Sequence, residues 1–269
     1  MQEINLQGRT LLITRPQPEA ATTAQQVVDC RGTPLLAPAL TILPPRDPRP
    51  LQQALQQSHH YQGILVTSVN GARAIVAAAP SPFLPPPFFA VGAQTAALLH
   101  QQGWSVHTPA AAAGGEAMAE AIRQWVPLHT DVPRSPIMRK GFLLVQAEQG
   151  REELATALQQ AGYRVDKVTA YRAEPMTTLP TGVQTALAEG GVDAVLFFSG
   201  RSAESFVAAL PQHGREWLNA PCIAAISPVT AQVVQQLGYR VAVTARRPDS
   251  LELLAALHRH WRPSPPLAM

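Results

Sequence analysis

Cysteine is almost absent from this chain. Only Cys30 and Cys222 occur in 269 residues. Two thiols so far apart are no disulfide framework, and buried free thiols in a reducing compartment are the simpler expectation. Charged residues make up 14% and aromatic residues 6%. With so few of either there is no basic run and no stacking cluster, so nucleic acid is not expected as a partner. No apolar run approaches the roughly 18 residues a membrane helix needs. The polar start, Met1 to Arg9, is not expected to be a signal peptide. GxSxG, HExxH and CxxC are all missing. Gly114-Gly115 lacks the lysine and spacing of a phosphate loop and reads as an ordinary loop. His59-His60 reads as a solvated pair. No metal or organic cofactor is expected, and the chain is expected to be soluble and cytoplasmic.

What is present is apolar and small. Hydrophobic residues reach 46%, ample for a core of Ala, Leu and Val, and the net charge is a mild +3 that suits an anionic ligand. Short apolar runs alternate with helical patterns. Leu11-Leu12-Ile13 reads as a strand, and 18–30 after it as a helix. Ile64-Leu65-Val66 leads into a helix over 71–79. Phe89-Ala90-Val91 leads into a helix over 94–101 that Gly103 ends. Strands separated by helices of this length imply parallel sheets covered on both faces. Loops are expected at 79–87, 110–115 and 127–140, and a frayed end beyond 258.

The same phrases return about 130 residues later. Ile64-Leu-Val-Thr-Ser-Val-Asn-Gly-Ala72 matches Val195-Leu-Phe-Phe-Ser-Gly-Arg-Ser-Ala203. Ala90-Val-Gly-Ala-Gln-Thr-Ala96 matches Ala225-Ile-Ser-Pro-Val-Thr-Ala231, and Gly103-Trp104 matches Gly238-Tyr239. Solenoid repeats run about 20–50 residues, so this period signals a duplicated α/β unit. Each half also carries an extended stretch, 34–45 and 165–175. Proline cannot donate within a central strand, so these read as edge strands or linkers. The fold class expected is α/β: two similar lobes with parallel sheets flanked by helices, joined by two extended linker strands, with the ligand in a cleft between the lobes.

In open parallel sheets ligands collect beyond the carboxyl ends of the strands. The residues that follow the strands here are Thr14 and Arg15; Thr67, Ser68 and Asn70; Gly92 to Thr95; Ser199, Arg201 and Ser202; and Ser227 and Thr230. All lie at predicted helix starts, where free N–H groups and the positive dipole end suit carboxylates or phosphates. The plainer reading of each hydroxyl is a helix cap. Tyr171, on the second extended stretch, carries a phenol that could hand a proton to a leaving group. Its plainer reading is a packed ring with a satisfied hydroxyl.

Taken in order, Leu12-Ile-Thr-Arg-Pro16, Val66-Thr-Ser-Val-Asn-Gly71, Ala90-Val-Gly-Ala-Gln-Thr-Ala96, Val168-Thr-Ala-Tyr-Arg172, Val195-Leu-Phe-Phe-Ser199 and Ala225-Ile-Ser-Pro-Val-Thr-Ala231 resemble the uroporphyrinogen-III synthase family. The likeness spans roughly residues 9–258. It implies lobe one at 1–35 plus 176–269, lobe two at 46–164, and linkers at 36–45 and 165–175. It implies a cytoplasmic monomer without cofactor that takes a linear tetrapyrrole, hydroxymethylbilane. That substrate loses its terminal hydroxyl as water, inverts ring D through a spiro intermediate and closes to uroporphyrinogen III, in tetrapyrrole biosynthesis. Tyr171 would then assist departure of the hydroxyl. Ser68, Thr95, Ser199 and Thr230 would line the site, and Arg15 and Arg201 would add charge toward the eight carboxylates. Four positions depart from the family pattern: Gln146 and Ala147 replace an Arg-Gly, Ser227 replaces a glycine, and Val229 replaces one of two threonines. The first three motivate a second reading, a non-catalytic tetrapyrrole-binding or regulatory homologue. A third is a two-lobed solute-binding protein outside the family.

Overall fold

The structure, a computed structural model, describes residues 3–108, 115–128 and 141–262. The loop residues expected at 110–114 and 129–140, and the end beyond 262, lie outside these. The chain runs β1 (Thr10–Ile13), α1 (Glu19–Asp29), β2 (Thr33–Leu36), β3 (Leu40–Leu43), α2 (Arg49–Gln56), β4 (Gly63–Val66), α3 (Val69–Ala78) and β5 (Phe88–Ala90). It continues α4 (Ala93–His100), β6 (Val106–His107), α5 (Gly115–Leu128), β7 (Phe142–Ala147), α6 (Glu153–Gln160) and β8 (Val165–Pro175). It ends α7 (Thr181–Ala188), β9 (Ala194–Phe197), α8 (Gly200–Ala208), β10 (Cys222–Ala225), α9 (Pro228–Gln236), β11 (Val243–Thr244) and α10 (Ser250–Trp261). Helix α5 runs past Pro127, where a loop was expected to begin.

The chain divides into two compact units, Met1–Thr41 with Glu174–Met269, and Ile42–Ala173. The first contains a five-stranded sheet ordered β2-β1-β9-β10-β11, all parallel. The second sheet is ordered β3-β8-β7-β4-β5-β6, parallel from β8 to β6. By the sequence repeats, β7 corresponds to β1, β4 to β9 and β5 to β10. By that correspondence the orders coincide in the flavodoxin-like 2-1-3-4-5 arrangement, although in chain order the second unit reads 5-4-1-2-3, a circular permutation of the first. Each sheet draws strands from both sequence halves.

Why these runs are strands follows from their burial. In β4 and β9 every residue is buried, as expected where helices cover both faces of a parallel sheet. Alternation then splits each core in two. In unit 1, Leu12, Val195 and Phe197 face α7, α8 and α9, while Leu11, Ile13 and Leu196 face α1 and α10. In unit 2, Ile64, Val66 and Val145 face α2, α3 and α4, while Leu65, Phe89 and Leu144 face α5 and α6. Each such fully buried Leu or Phe stabilises its unit by roughly 1.5–3 kcal/mol. Trp104 stacks on Phe88 and Tyr239 is buried in the unit 1 core.

The first extended stretch supplies edge strands, as expected, and the second does not. The first is broken into two strands: β2 is an edge of the first sheet and β3 an edge of the second. The second, β8, is interior, with β7 on one side and β3 on the other. Its proline, Pro175, is the last residue of the strand, so it interrupts no ladder between β7 and β8. No helix among the described residues is long and apolar enough to cross a membrane.

Candidate active site

Strand order reverses at the β1/β9 boundary in unit 1 and at β7/β4 in unit 2. The crevice beyond the carboxyl ends at such a point is where open α/β sheets hold ligands. In unit 1, Thr14 follows β1 and is fully buried. Its hydroxyl donates to the Leu196 carbonyl at 2.7 Å, which ties β1 to β9 and turns the group away from solvent. Arg15, the next residue, is half-buried. Its guanidinium lies 4.5 Å over the Phe198 ring, and Nη1 donates to Thr23 Oγ1 (3.2 Å) and Ser250 Oγ (3.3 Å). A cation over a ring face combined with two hydrogen bonds from one nitrogen is an arrangement that suits guanidinium better than ammonium.

Two serines open the neighbouring helices of unit 1. Ser199 caps α8, accepting from Ser202 N–H at 3.1 Å and donating to Ser202 Oγ at 2.9 Å. Ser227 caps α9, accepting from Thr230 N–H at 3.3 Å, with Thr230 Oγ1 at 3.1 Å. Ser202 and Thr230 are themselves buried. Arg201 is half-buried at the start of α8, and Arg246 and Arg247 are exposed just beyond β11. This rim is therefore rich in guanidinium groups and helix starts.

In unit 2, Ser68 follows β4 and caps α3, accepting from Gly71 N–H at 3.1 Å. Tyr171 pairs with Ala147, the last residue of β7, which places it at the same carboxyl rim. Its ring packs against the β4–β7–β8 core, and its hydroxyl donates to Ser68 Oγ at 3.1 Å. A packed ring with a satisfied hydroxyl is the plainer of the two readings of this residue. Asn70 Oδ1 accepts from Arg73 at 3.1 Å. Thr95 is buried in α4, behind the bare N-terminus capped by Gly92, whose φ of 85° favours glycine. Thr67 is exposed beside Ser68.

Of the four departures from the family pattern, Val229 is exposed on α9 and the other three have structural roles here. Ser227 caps its helix as Ser68 and Ser199 cap theirs. Ala147 is buried at the end of β7. Gln146 is only 9% exposed, its side chain lying across Gly150 where any Cβ would collide with it. Sequence reading overlooked Arg73, Gly71 and Gly150. The x-x spacing from each capping serine was visible and would have found Gly71.

The strongly shifted groups Tyr61 and Cys222 lie at the opposite ends of the strands. Burial, then the charge and hydrogen bond of Asp166, push the Tyr61 phenol up to about 12. Burial pushes the Cys222 thiol up to about 11. Neither marks the carboxyl rim. The site residues therefore fall into two sets, one per unit: Thr14, Arg15, Ser199, Arg201, Ser202, Ser227 and Thr230 in the first, and Ser68, Asn70, Thr95 and Tyr171 in the second.

Paired flavodoxin-like sheets, each edged by hydroxyl-capped helix starts at its carboxyl rim, define the class: a tandem α/β protein with its polar groups at the strand ends. A family model described as uroporphyrinogen-III synthase HemD matches residues 22–255. The chain belongs to the uroporphyrinogen-III synthase family, whose enzymes cyclise hydroxymethylbilane. It is 27% identical over 273 aligned positions to the uroporphyrinogen-III synthase of Synechococcus elongatus, covering 97% of this chain and 99% of that protein. It is 23% identical to a porphyrin biosynthesis protein HemD of Ruminiclostridium josui, covering 89% of this chain but 46% of that longer protein. Among solved structures, a mutant uroporphyrinogen III synthase of Thermus thermophilus shares the fold with a TM-score of 0.63 at 18% identity, covering 94% of this chain and 98% of that one. The Helicobacter pylori enzyme gives 0.56 at 17% identity, covering 94% and 100%.

Proposed function

We propose that this chain converts hydroxymethylbilane to uroporphyrinogen III as a cytoplasmic monomer, and that Tyr171 assists the first bond cleavage. The carbon–oxygen bond of the terminal hydroxymethyl group breaks with its electron pair on oxygen. The Tyr171 phenol supplies a proton to that oxygen, and water leaves. Ring D attacks the resulting azafulvene cation through its substituted α carbon and gives the spiro intermediate. The bond from that carbon to its old bridging carbon then breaks, and the freed bridging carbon bonds to the other α carbon of ring D, which sheds its proton. The proton that the substrate sheds on closing restores the phenol. An activated bilane closes unaided without inverting the ring, so the larger task is to hold one conformation along the inverting path.

The carboxylates of the substrate need donors that are fixed before it arrives. Arg15, held by Phe198, Thr23 and Ser250, is one. Arg201 and the N–H groups at the starts of α3, α4, α8 and α9 are others. Ser68, Ser199 and Ser227, with Asn70, Thr95, Ser202 and Thr230 behind them, shape these starts. The observation that carries the reading is the Tyr171 phenol, rooted in the core by its ring and fixed by Ser68 at the end of the sheet where the strand order reverses.

The test is the product isomer. Freshly made hydroxymethylbilane is incubated with the protein, oxidised, and the uroporphyrin I and III isomers are separated by chromatography. A dominant III isomer is expected. Only the I isomer, formed at the uncatalysed rate, would refute the reading and put a tetrapyrrole-binding homologue in its place.

A further inference from the structure

Three serines begin three helices with nearly the same backbone: Ser68 (φ −154°, ψ 153°), Ser199 (−163°, 158°) and Ser227 (−157°, 161°). Each Oγ accepts from the N–H three residues on. In two of the three, that third residue brings its own hydroxyl and closes the cap on itself. Ser202 does so for Ser199 at 2.9 Å, and Thr230 does so for Ser227 at 3.1 Å. In α3 the equivalent residue is Gly71, which has no side chain to offer. The Tyr171 hydroxyl occupies that role instead, at 3.1 Å from Ser68 Oγ. A Cβ at position 71 would stand 3.3 Å from the same oxygen, so a hydroxyl built there has Ser68 within reach.

The hydrogen-bond inventory makes this pairing directional and reversible. Ser68 Oγ accepts from the Gly71 N–H and has one proton to give. In the resting pair the phenol donates to Ser68. Rotation of both hydroxyls lets Ser68 donate to the phenol oxygen at the same heavy-atom distance. The phenolic proton is then free to point at a departing group, and the oxygen left behind is stabilised as charge develops on it. Ser68 keeps its own proton throughout. The proton Tyr171 gives up departs in the water, and the proton shed by the closing substrate replaces it.

We infer that Ser68 is a positioning residue that acts through Tyr171, and that Gly71 keeps Ser68 available by withholding the hydroxyl that closes the other two caps. This rests on the reading of Tyr171 as the group that assists loss of the hydroxyl.

The experiment is a mutant cycle on the full chain with fresh hydroxymethylbilane, together with fluorine NMR of protein labelled with 3-fluorotyrosine, the residue 171 resonance being assigned by its loss in Tyr171→Phe. Gly71→Ser is expected to lower kcat about fivefold, the order of one neutral hydrogen bond, with KM within about twofold. It should also shift the residue 171 resonance. Ser68→Ala should do the same, and Ser68→Thr should recover most of the rate. In the Tyr171→Phe background neither Gly71→Ser nor Ser68→Ala should slow the enzyme further. If Gly71→Ser does not fold, the Ser68→Ala arm decides alone. Penalties that multiply in the double variants, or an unmoved resonance, would overturn the inference while leaving the reading of Tyr171 in place. Wild-type turnover by Tyr171→Phe would bring down both.

Discussion

Tyr171→Phe separates catalysis from stability unusually well in this fold. The change removes one oxygen and keeps the ring, so the packing of residue 171 against the unit 2 core is preserved. It orphans nothing, because Ser68 Oγ still accepts from Gly71 N–H at 3.1 Å. The stability cost is then that of a single half-exposed hydrogen bond, about 0.5–1.5 kcal/mol. For a unit of this size that lowers Tm by roughly 2–6 °C. If the phenol donates to the departing hydroxyl, turnover must fall by more than folding suffers. A tenfold loss of kcat corresponds to about 1.4 kcal/mol of transition-state stabilisation. Water can reach a half-exposed position and take over part of the role, so a loss near tenfold is expected and one of many thousandfold is not. The assay is the initial rate of uroporphyrinogen III formation, corrected for spontaneous closure, alongside a thermal melt. A wild-type rate from a folded variant would refute the assignment. A rate lost in proportion to a collapsed melt would show that the ring, and not the hydroxyl, mattered.

Arg15→Lys keeps the charge but cannot stack on Phe198 and serve Thr23 and Ser250 together. KM should rise about fivefold to tenfold with kcat nearly unchanged, and a KM equal to wild type would remove Arg15 from carboxylate binding. The Tyr61 phenol, held at about 12 in the folded chain against about 10 when unfolded, gives alkaline melts a defined slope. Its neutral form is favoured in the fold, so its contribution is complete below pH 10 and drains away between pH 10 and 12. Tyr61→Phe should flatten that part of the stability profile, which urea melts at stepped pH will show.

The strands were legible because parallel strands buried on both faces read as unbroken apolar runs, as in Ile64-Leu65-Val66 and Val195-Leu196-Phe197. The duplication was legible for the same reason. Which strand pairs with which was not. β1 could bond equally well to β4 or to its twin β9, since the two carry one pattern, and only the likeness to a family divided the chain otherwise than at its midpoint. Interior β8 was misjudged because Pro175 was weighed as though it lay mid-strand. At the site, position was readable and commitment was not. Thr14 and Ser199 fall where strand-end arithmetic puts them, but nothing in the residue types reveals that Thr14 spends its hydroxyl on the Leu196 carbonyl. The partnership of Ser68 with Tyr171 joins residues 103 positions apart, beyond the reach of any local pattern.

The mixing of sequence halves within each sheet also sets an order of assembly on the ribosome. Unit 2 is one continuous stretch, Ile42–Ala173, and holds all the strands of its own core by the time residue 173 has emerged. Unit 1 begins first and finishes last. β1 and β2 are made before unit 2, yet the partner of β1 on its other side, β9, starts only at Ala194. Through the whole synthesis of unit 2, one edge of β1 waits with its backbone groups unpaired, exposed to wrong partners such as the similarly patterned β4. The chain meets again at the seam, where Met176 N–H donates to the Ala39 carbonyl at 2.9 Å. That bond draws together the two ends that unit 2 had held apart, and lets the oldest strands of the chain be completed by the newest.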